Sequence, residues 1–256
     1  MAIVTGSSRG IGKAIALEFV REGANIVIVA RSETEGKLPG TIYKTAEEIE
    51  ALGVQALAIK CDVSSEDDVN AMVSRTLNRF GRVDILVNNA AVGYYMPLME
   101  TPLKHWDLVM RVNIRGPFLC IKAVAPRMIE QKGGSIINIT STAAEDIFSI
   151  IERPGGERRL SGSLYGASKA ALERITRGLA EELKGANIAV NALKPAKPTY
   201  SEGIAFWNPD VPPSALRSPY LYMTKAAVFL AMQDSTGVSG GVFLDEELCR
   251  KFGAAK

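Results

Sequence analysis

Short apolar runs alternate with segments of helical periodicity along the whole chain, and this alternation most constrains the fold. The runs cover residues 2–4, 24–30, 54–59, 81–87, 133–139, 187–193 and 241–244. A near-continuous run such as Ala24-Asn25-Ile26-Val27-Ile28-Val29-Ala30 suits a parallel strand buried on both faces. Between the runs, residues 13–22, 43–52, 66–80, 103–111, 112–131, 165–184 and 221–232 space their apolar side chains as helices do. The alternation predicts an α/β fold: one doubly wound parallel sheet of about seven strands, with helices on both faces. A single domain over 1–256 accommodates it, and no fixed-period repeat suggests a solenoid. Two irregular segments interrupt the pattern, near 143–163 and 194–220. Loops of such length are commonly functional, and the second, rich in proline and aromatic residues, suits a lid.

Composition narrows the function. The 256 residues, 47% of them hydrophobic, can bury a sizeable core. A net charge of +2 without a basic run argues against nucleic acid as a partner. No apolar stretch approaches the ~20 residues that span a bilayer, so no membrane association is expected. The opening Met1-Ala2-Ile3-Val4 carries neither the basic head nor the cleavage site of a signal peptide, which leads us to expect a cytoplasmic protein. Cys61, Cys120 and Cys249 are odd in number and far apart, as buried free thiols would be. His105 is the single histidine, and no zinc-ligand cluster accompanies it; no metal is expected, and carbonyl chemistry would fall to side-chain acids and a cofactor.

The first strand runs into Thr5-Gly6-Ser7-Ser8-Arg9-Gly10-Ile11-Gly12 and then a helix. Glycines permit a tight turn and close backbone approach to a pyrophosphate, and the helix N-terminus offers free N–H groups. An ordinary strand–helix turn is the alternative. Arg31 closes the second strand, where an acid would bind ribose hydroxyls and an arginine accommodates a 2′-phosphate. With Arg9 nearby, the expectation is NADP(H) in preference to NAD(H); otherwise Arg31 is merely solvated. Asp62 could accept from an adenine amino group or cap the turn before the helix at 66, where Ser64 and Ser65 are N-cap candidates. Asn88-Asn89-Ala90-Ala91 follows the fourth strand, at the carboxyl edge where open α/β sheets hold ligands. Pro117 belongs in a first helical turn or a kink. Tyr165 and Lys169 are four apart at the head of a helix, so a phenol and an ammonium share one face. A nearby cation lowers a phenol's pKa toward useful acid/base chemistry, although a tyrosine and a solvated lysine meet at this spacing by chance as well.

Together these motifs resemble the short-chain dehydrogenase/reductase family over nearly the full chain. Thr5-Gly6-x-x-x-Gly10-x-Gly12, Asn88-Asn89-Ala90, a lone Asn113 before a helix, and Ser141 with Tyr165-x-x-x-Lys169 occur in the family's order. The resemblance implies a Rossmann-type sheet and hydride transfer between a nicotinamide cofactor and an alcohol or ketone. It makes Tyr165 the general acid/base and gives Lys169 the nicotinamide ribose. Ser141 would bond the substrate oxygen, and Asn113 would support a water leading to Lys169. The cofactor contacts carried over are Gly6 to Gly12 (Gly6, Ser8, Arg9, Gly10, Ile11, Gly12), Arg31, Asp62, Val63, Asn89, Ala90, Tyr165, Lys169 and Pro195. A homotetramer or homodimer through the helices from Asn113 and Tyr165 is also implied. The chain departs from the pattern at Ala91, Ala196 and Asp245-Glu246-Glu247, where the family has glycines. Tyr94, Tyr95, Met96, Phe148, Phe206 and Trp207 could line a partly apolar substrate pocket, whereas Arg153, Arg158 and Arg159 could recognise an anion or simply be solvated. The rival reading is a non-catalytic NADP(H)-binding sensor or scaffold; an epimerase or dehydratase with the same tyrosine and lysine is a third.

Overall fold

Seven strands form one all-parallel sheet in the computed structural model, which describes residues 1–145, 150–152, 158–160, 162–207 and 211–253. The strands are β1 (Ala2–Thr5), β2 (Ile26–Ala30), β3 (Ala56–Lys60), β4 (Ile85–Asn88), β5 (Gly134–Ile139), β6 (Ile188–Lys194) and β7 (Val242–Leu244). Their order is β3-β2-β1-β4-β5-β6-β7. Alternation along each strand divides the core. Ile3, Val27 and Val29 face α3 (Glu66–Phe80) and α5 (Gly116–Gln131), while Ala2, Val4, Ile26 and Ile28 face α1 (Gly10–Arg21), α2 (Ile42–Glu50) and α8 (Met223–Ala231). Both faces are therefore covered by helices, which is why these strands are apolar at nearly every position. The order reverses between β1 and β4, so a crevice opens at their carboxyl ends.

Several boundaries differ from the sequence expectation. The fourth strand begins at Ile85 and not at 81, because Gly81 is the left-handed cap of α3 at φ 74°. Val83 N–H donates to Gln131 Oε1 and the Asp84 carboxylate pairs with the chain's amino group at 2.9 Å, while the Asp84 backbone already bonds Met1 and Ser135 beside the ladder. Ser65 accepts from Asp68 N–H and caps α3. α4 (Leu103–Met110) passes into α5 through a π-helical turn at Arg111–Arg115, which carries the buried Asn113, and Pro117 falls in the first turn of α5. The irregular segments contain a hairpin of Ile150–Glu152 with Arg158–Leu160, a short helix α7 (Glu202–Trp207) and a 3-10 turn at Pro213–Ala215. An unexpected final helix, α9 (Asp245–Phe252), has three acids in its first turn and Arg250 and Lys251 in its last, as the helix dipole favours.

Candidate active site

α6 (Ser163–Leu183) delivers Tyr165 and Lys169 to the carboxyl end of β5. Its head can press against the turn that follows Ser141 because residue 166 is glycine: a methyl there would stand 2.3 Å from the Ala143 carbonyl oxygen. Ser141 caps that turn by accepting from Ala143 N–H at 3.2 Å, and its hydroxyl is hydrogen-bonded to Tyr165. Lys169, 2% exposed, donates to the Ile139 carbonyl at 2.8 Å, and its Nζ is 5.6 Å from the Tyr165 ring centre. Burial pushes the Tyr165 phenol above its ordinary value, Tyr95 adds to this, and the Ser141 bond opposes it. Burial likewise lowers Lys169 to about 8, with Glu173 working against it. The expected lowering of the phenol by the neighbouring ammonium is thus not found at Tyr165: desolvation of the ring sets the shift, and the lysine is turned to a backbone carbonyl.

Asn113 is fully buried and acts as a three-way clamp. It accepts from Val92 N–H at 2.9 Å, and its Nδ2 donates to the Val92 carbonyl at 2.9 Å and to Ser168 Oγ at 3.0 Å. Ser168 in turn donates to the Tyr165 carbonyl at 2.7 Å. The segment after β4 is thereby held against α6. Gly93 abuts Tyr165, Tyr95 packs on it with ring centres 5.7 Å apart, and Tyr94 stacks on His105 at 3.9 Å. Phe206 is exposed. Phe148 and Arg153, and the side chains of Trp207, Arg158 and Arg159, lie outside the described residues.

The glycine turn is built for close approach. Gly6 has φ 67°, and a methyl on Gly12 would stand 2.3 Å from Asn89 Nδ2 and 2.6 Å from the Gly6 carbonyl oxygen. Asn89 donates to the carbonyls of Thr5 and Gly6, while Thr5 Oγ1 accepts from the N–H groups of Asn89 and Ala90. Ser7, unremarked in the sequence, donates to the Val4 carbonyl and accepts from Val29 N–H. Ser8 is buried, and Ile11 is half-buried in the first turn of α1. Arg9 donates to Ser32 Oγ and the Gly40 carbonyl, leaving its buried Nε unpartnered, and Arg31 is exposed at the end of β2. Asp62 accepts from both the N–H and the hydroxyl of Ser64; despite burial, these bonds, with Arg31 and Arg111, hold it below its ordinary value. Val63 packs under Gly116. Pro195 directly follows β6, and Ala196 N–H donates to Asp245 Oδ1 at 2.8 Å. Asp245, fully buried, is also paired with Arg217, whose Nη1 reaches Glu246 at 3.2 Å. A pocket of 380 Å³ opens between α1 and the 200–220 segment, lined by Gly10, Lys13, Tyr200, Glu202 and Tyr220 among others. None of Ser141, Tyr165 and Lys169 lines it, so it is no substrate site for them.

The short chain dehydrogenase family model matches residues 1–201. The chain belongs to the short-chain dehydrogenase/reductase family. It is 37% identical over 251 residues to hydroxysteroid dehydrogenase-like protein 2 of Xenopus tropicalis, covering 98% of this chain and 57% of that protein. With the Homo sapiens protein of the same name it shares 42% identity over 193 residues, 75% of this chain and 44% of the relative. The chain therefore spans about half the length of these curated relatives. Among solved structures, a metagenomic short-chain oxidoreductase in complex with NADP superposes with a TM-score of 0.75 at 31% identity, covering 95% of each chain. A short-chain type dehydrogenase/reductase from Mycobacterium marinum gives 0.80 at 29% identity, covering 96% of this chain and 94% of that one.

As a short-chain dehydrogenase/reductase, the chain keeps a cradle that fits a dinucleotide: at Gly6 and Gly12 an added methyl would fill the turn, which the α1 N-terminus faces. Its departures from the family pattern are accommodated. Neither Ala91 nor Ala196 is among the described non-glycine residues with positive φ, which are Lys132 and Asn187. Asp245 and Glu246, where the family has Asp-Gly, open α9 and fasten the loop after β6. Among the described residues no cluster could hold a metal ion and no helix is long and apolar enough to cross a membrane; the three cysteines are free and buried.

Proposed function

We propose that the protein is an NADP(H)-dependent oxidoreductase that moves a hydride between the cofactor and a ketone or secondary alcohol. The observation that carries this reading is the Ser141–Tyr165 hydrogen bond at the carboxyl end of β5, with Lys169 buried behind it. The nicotinamide, when bound, supplies or accepts the hydride. Gly6 to Gly12 would hold the pyrophosphate, Asp62 and Val63 the adenine, Asn89, Ala90 and Pro195 the nicotinamide half, and Lys169 its ribose.

Ser141 and Tyr165 present two hydroxyls to one point. When a carbonyl is reduced, negative charge grows on its oxygen, and donors fixed there stabilise the charge as it develops. In reduction the neutral phenol, the form that burial favours, gives the oxygen its proton, and in oxidation the phenolate takes it back. Arg9 and Arg31 bracket the end of β2 without an acid there, which supports NADP(H). Tyr95 packs against Tyr165 and, with its chain neighbours Tyr94 and Met96, suits a partly apolar substrate. We extend the proposal to a homotetramer or homodimer through α5 and α6, where Phe118 is 53% exposed.

A carbonyl and alcohol panel followed at the nicotinamide absorbance, with both cofactors, tests the activity. Tyr165→Phe should bind NADPH as wild type does while turnover falls by roughly 10²–10⁴-fold. Retained turnover in that variant would remove Tyr165 from the chemistry, and tighter binding of NADH than NADPH would reject the cofactor assignment. Tight NADPH binding with no oxidation across the panel would leave the sensor reading in its place.

A further inference from the structure

Behind the tyrosine and lysine lies a second set of charges that the cofactor reading does not use. Glu173 is one turn beyond Lys169 on α6, so Tyr165, Lys169 and Glu173 share one helical face at four-residue spacing. Glu173 is 6% exposed, and Lys194, the last residue of β6, is 2% exposed. Lys194 Nζ stands 3.4 Å from Glu173 Oε1 and 2.7 Å from Glu145 Oε1. Glu145 ends the turn that Ser141 caps, and Lys194 immediately precedes Pro195.

A buried carboxylate costs several kcal/mol unless cations compensate it. Glu173 has one on each side: Lys194 in direct contact and Lys169 a turn earlier. Charge therefore alternates through the interior as Lys169, Glu173, Lys194, Glu145, and only Glu145, its side chain 63% exposed, reaches solvent. We propose that Glu173 is a positioning residue for Lys169: clamped by Lys194, its carboxylate is the counter-charge that holds the Lys169 ammonium in its buried seat. The Lys194–Glu145 arm links the same counter-charge to the Ser141 turn and to the root of the loop at Pro195. This rests on reading Tyr165 and Lys169 as the acid pair. Among the described residues, the titratable or charged groups next to Lys169 are Tyr165 and Glu173 on its own helix, with Tyr95 packed on Tyr165 and Lys194 and Glu145 following Glu173. β5 and the π-helical turn face the site with neutral groups, the Ile139 carbonyl and Asn113. Burial favours the neutral amine and Glu173 the ammonium.

Lysine labelled at 13Cε and 15Nζ allows the Lys169 titration to be read by NMR on the full chain without substrate or cofactor, the signal being assigned by its loss in Lys169→Met. The wild-type midpoint is expected near 8. Glu173→Gln, which keeps size and removes charge, should lower it by roughly one pH unit. Glu173→Asp, shorter but charged, should hold it close to wild type, an order that a purely packing role would reverse. The double variant Glu173→Leu/Lys194→Met removes both buried charges together, a replacement that cores commonly tolerate, and should lower the midpoint less than Glu173→Gln does, because a cation leaves with the carboxylate. A midpoint unmoved in Glu173→Gln and in the double variant, or one that falls with Asp as far as with Gln, overturns the proposal. Because the titration needs no turnover, a negative carbonyl panel would refute the enzymatic reading and leave this result to stand or fall separately.

Discussion

Gly166→Ala probes the contact between the head of α6 and the Ser141 turn. The added methyl would stand 2.3 Å from the Ala143 carbonyl oxygen and 3.3 Å from its carbon, where ordinary contact begins at 3.4 Å. Both obstructing atoms are backbone, so no side-chain rotation relieves the clash. The turn and the helix must part by about 1 Å, a displacement of the size that overpacking forces on a dense interior. Alanine recovers up to about 1 kcal/mol of helix propensity over glycine, while overpacking costs about 1–3 kcal/mol. The expected net loss is about 1–2 kcal/mol, a Tm lower by roughly 3–6 °C for a chain of this length. Turnover should suffer more, because a misplacement of about 1 Å between reacting groups costs on the order of 10²-fold. NADPH affinity should fall far less than turnover, since the glycine turn lies elsewhere and only the Tyr165 and Lys169 contacts move with α6. Thermal unfolding, NADPH fluorescence titration and turnover on the best substrate of the panel measure the three. A variant as stable and as active as wild type would refute the idea that this contact sets the distance between Ser141 and Tyr165.

Three further outcomes follow from the same geometry. Gly12→Ala drives a methyl into Asn89 Nδ2 and the Gly6 carbonyl and should weaken NADPH binding by at least roughly tenfold in calorimetry; an unchanged Kd would show that these three residues do not shape the site. Arg217→Met strands the fully buried Asp245 without its cation and should cost about 3–5 kcal/mol in urea unfolding. Arg217→Met/Asp245→Asn should recover more than half of that loss, and a single-variant cost below about 1 kcal/mol would count against the latch. Lys169 titrates lower when folded than unfolded, so between about pH 8 and its ordinary 10.5 the unfolded chain binds more protons and stability rises with pH. Over that window wild type should gain up to roughly 3 kcal/mol relative to Lys169→Met; parallel pH profiles for the two proteins would contradict the burial of a charged lysine.

Local chemistry made much of this protein legible in one dimension. Apolar runs such as 24–30 announce strands covered on both faces, Gly6 to Gly12 announce a tight turn before a helix, and Tyr165 and Lys169 announce a shared face, because periodicity and backbone freedom are properties of neighbours in the chain. The helix at Asp245–Phe252 was written there too, in its acidic first turn and basic last turn, at the point where the chain departs from the family's glycines. What the tertiary structure alone decided is which distant groups meet. Gly166 reads as an ordinary helical residue until Ala143 is seen against it, and Asn113 as a lone polar residue before a helix until Val92 and Ser168 fill its amide. Glu173 and Lys194, 21 residues apart, become a buried pair only when β6 comes to lie beside α6. The direction of the Tyr165 shift likewise depends on how deeply the ring is covered, a property of the packed interior that spacing along the chain cannot encode.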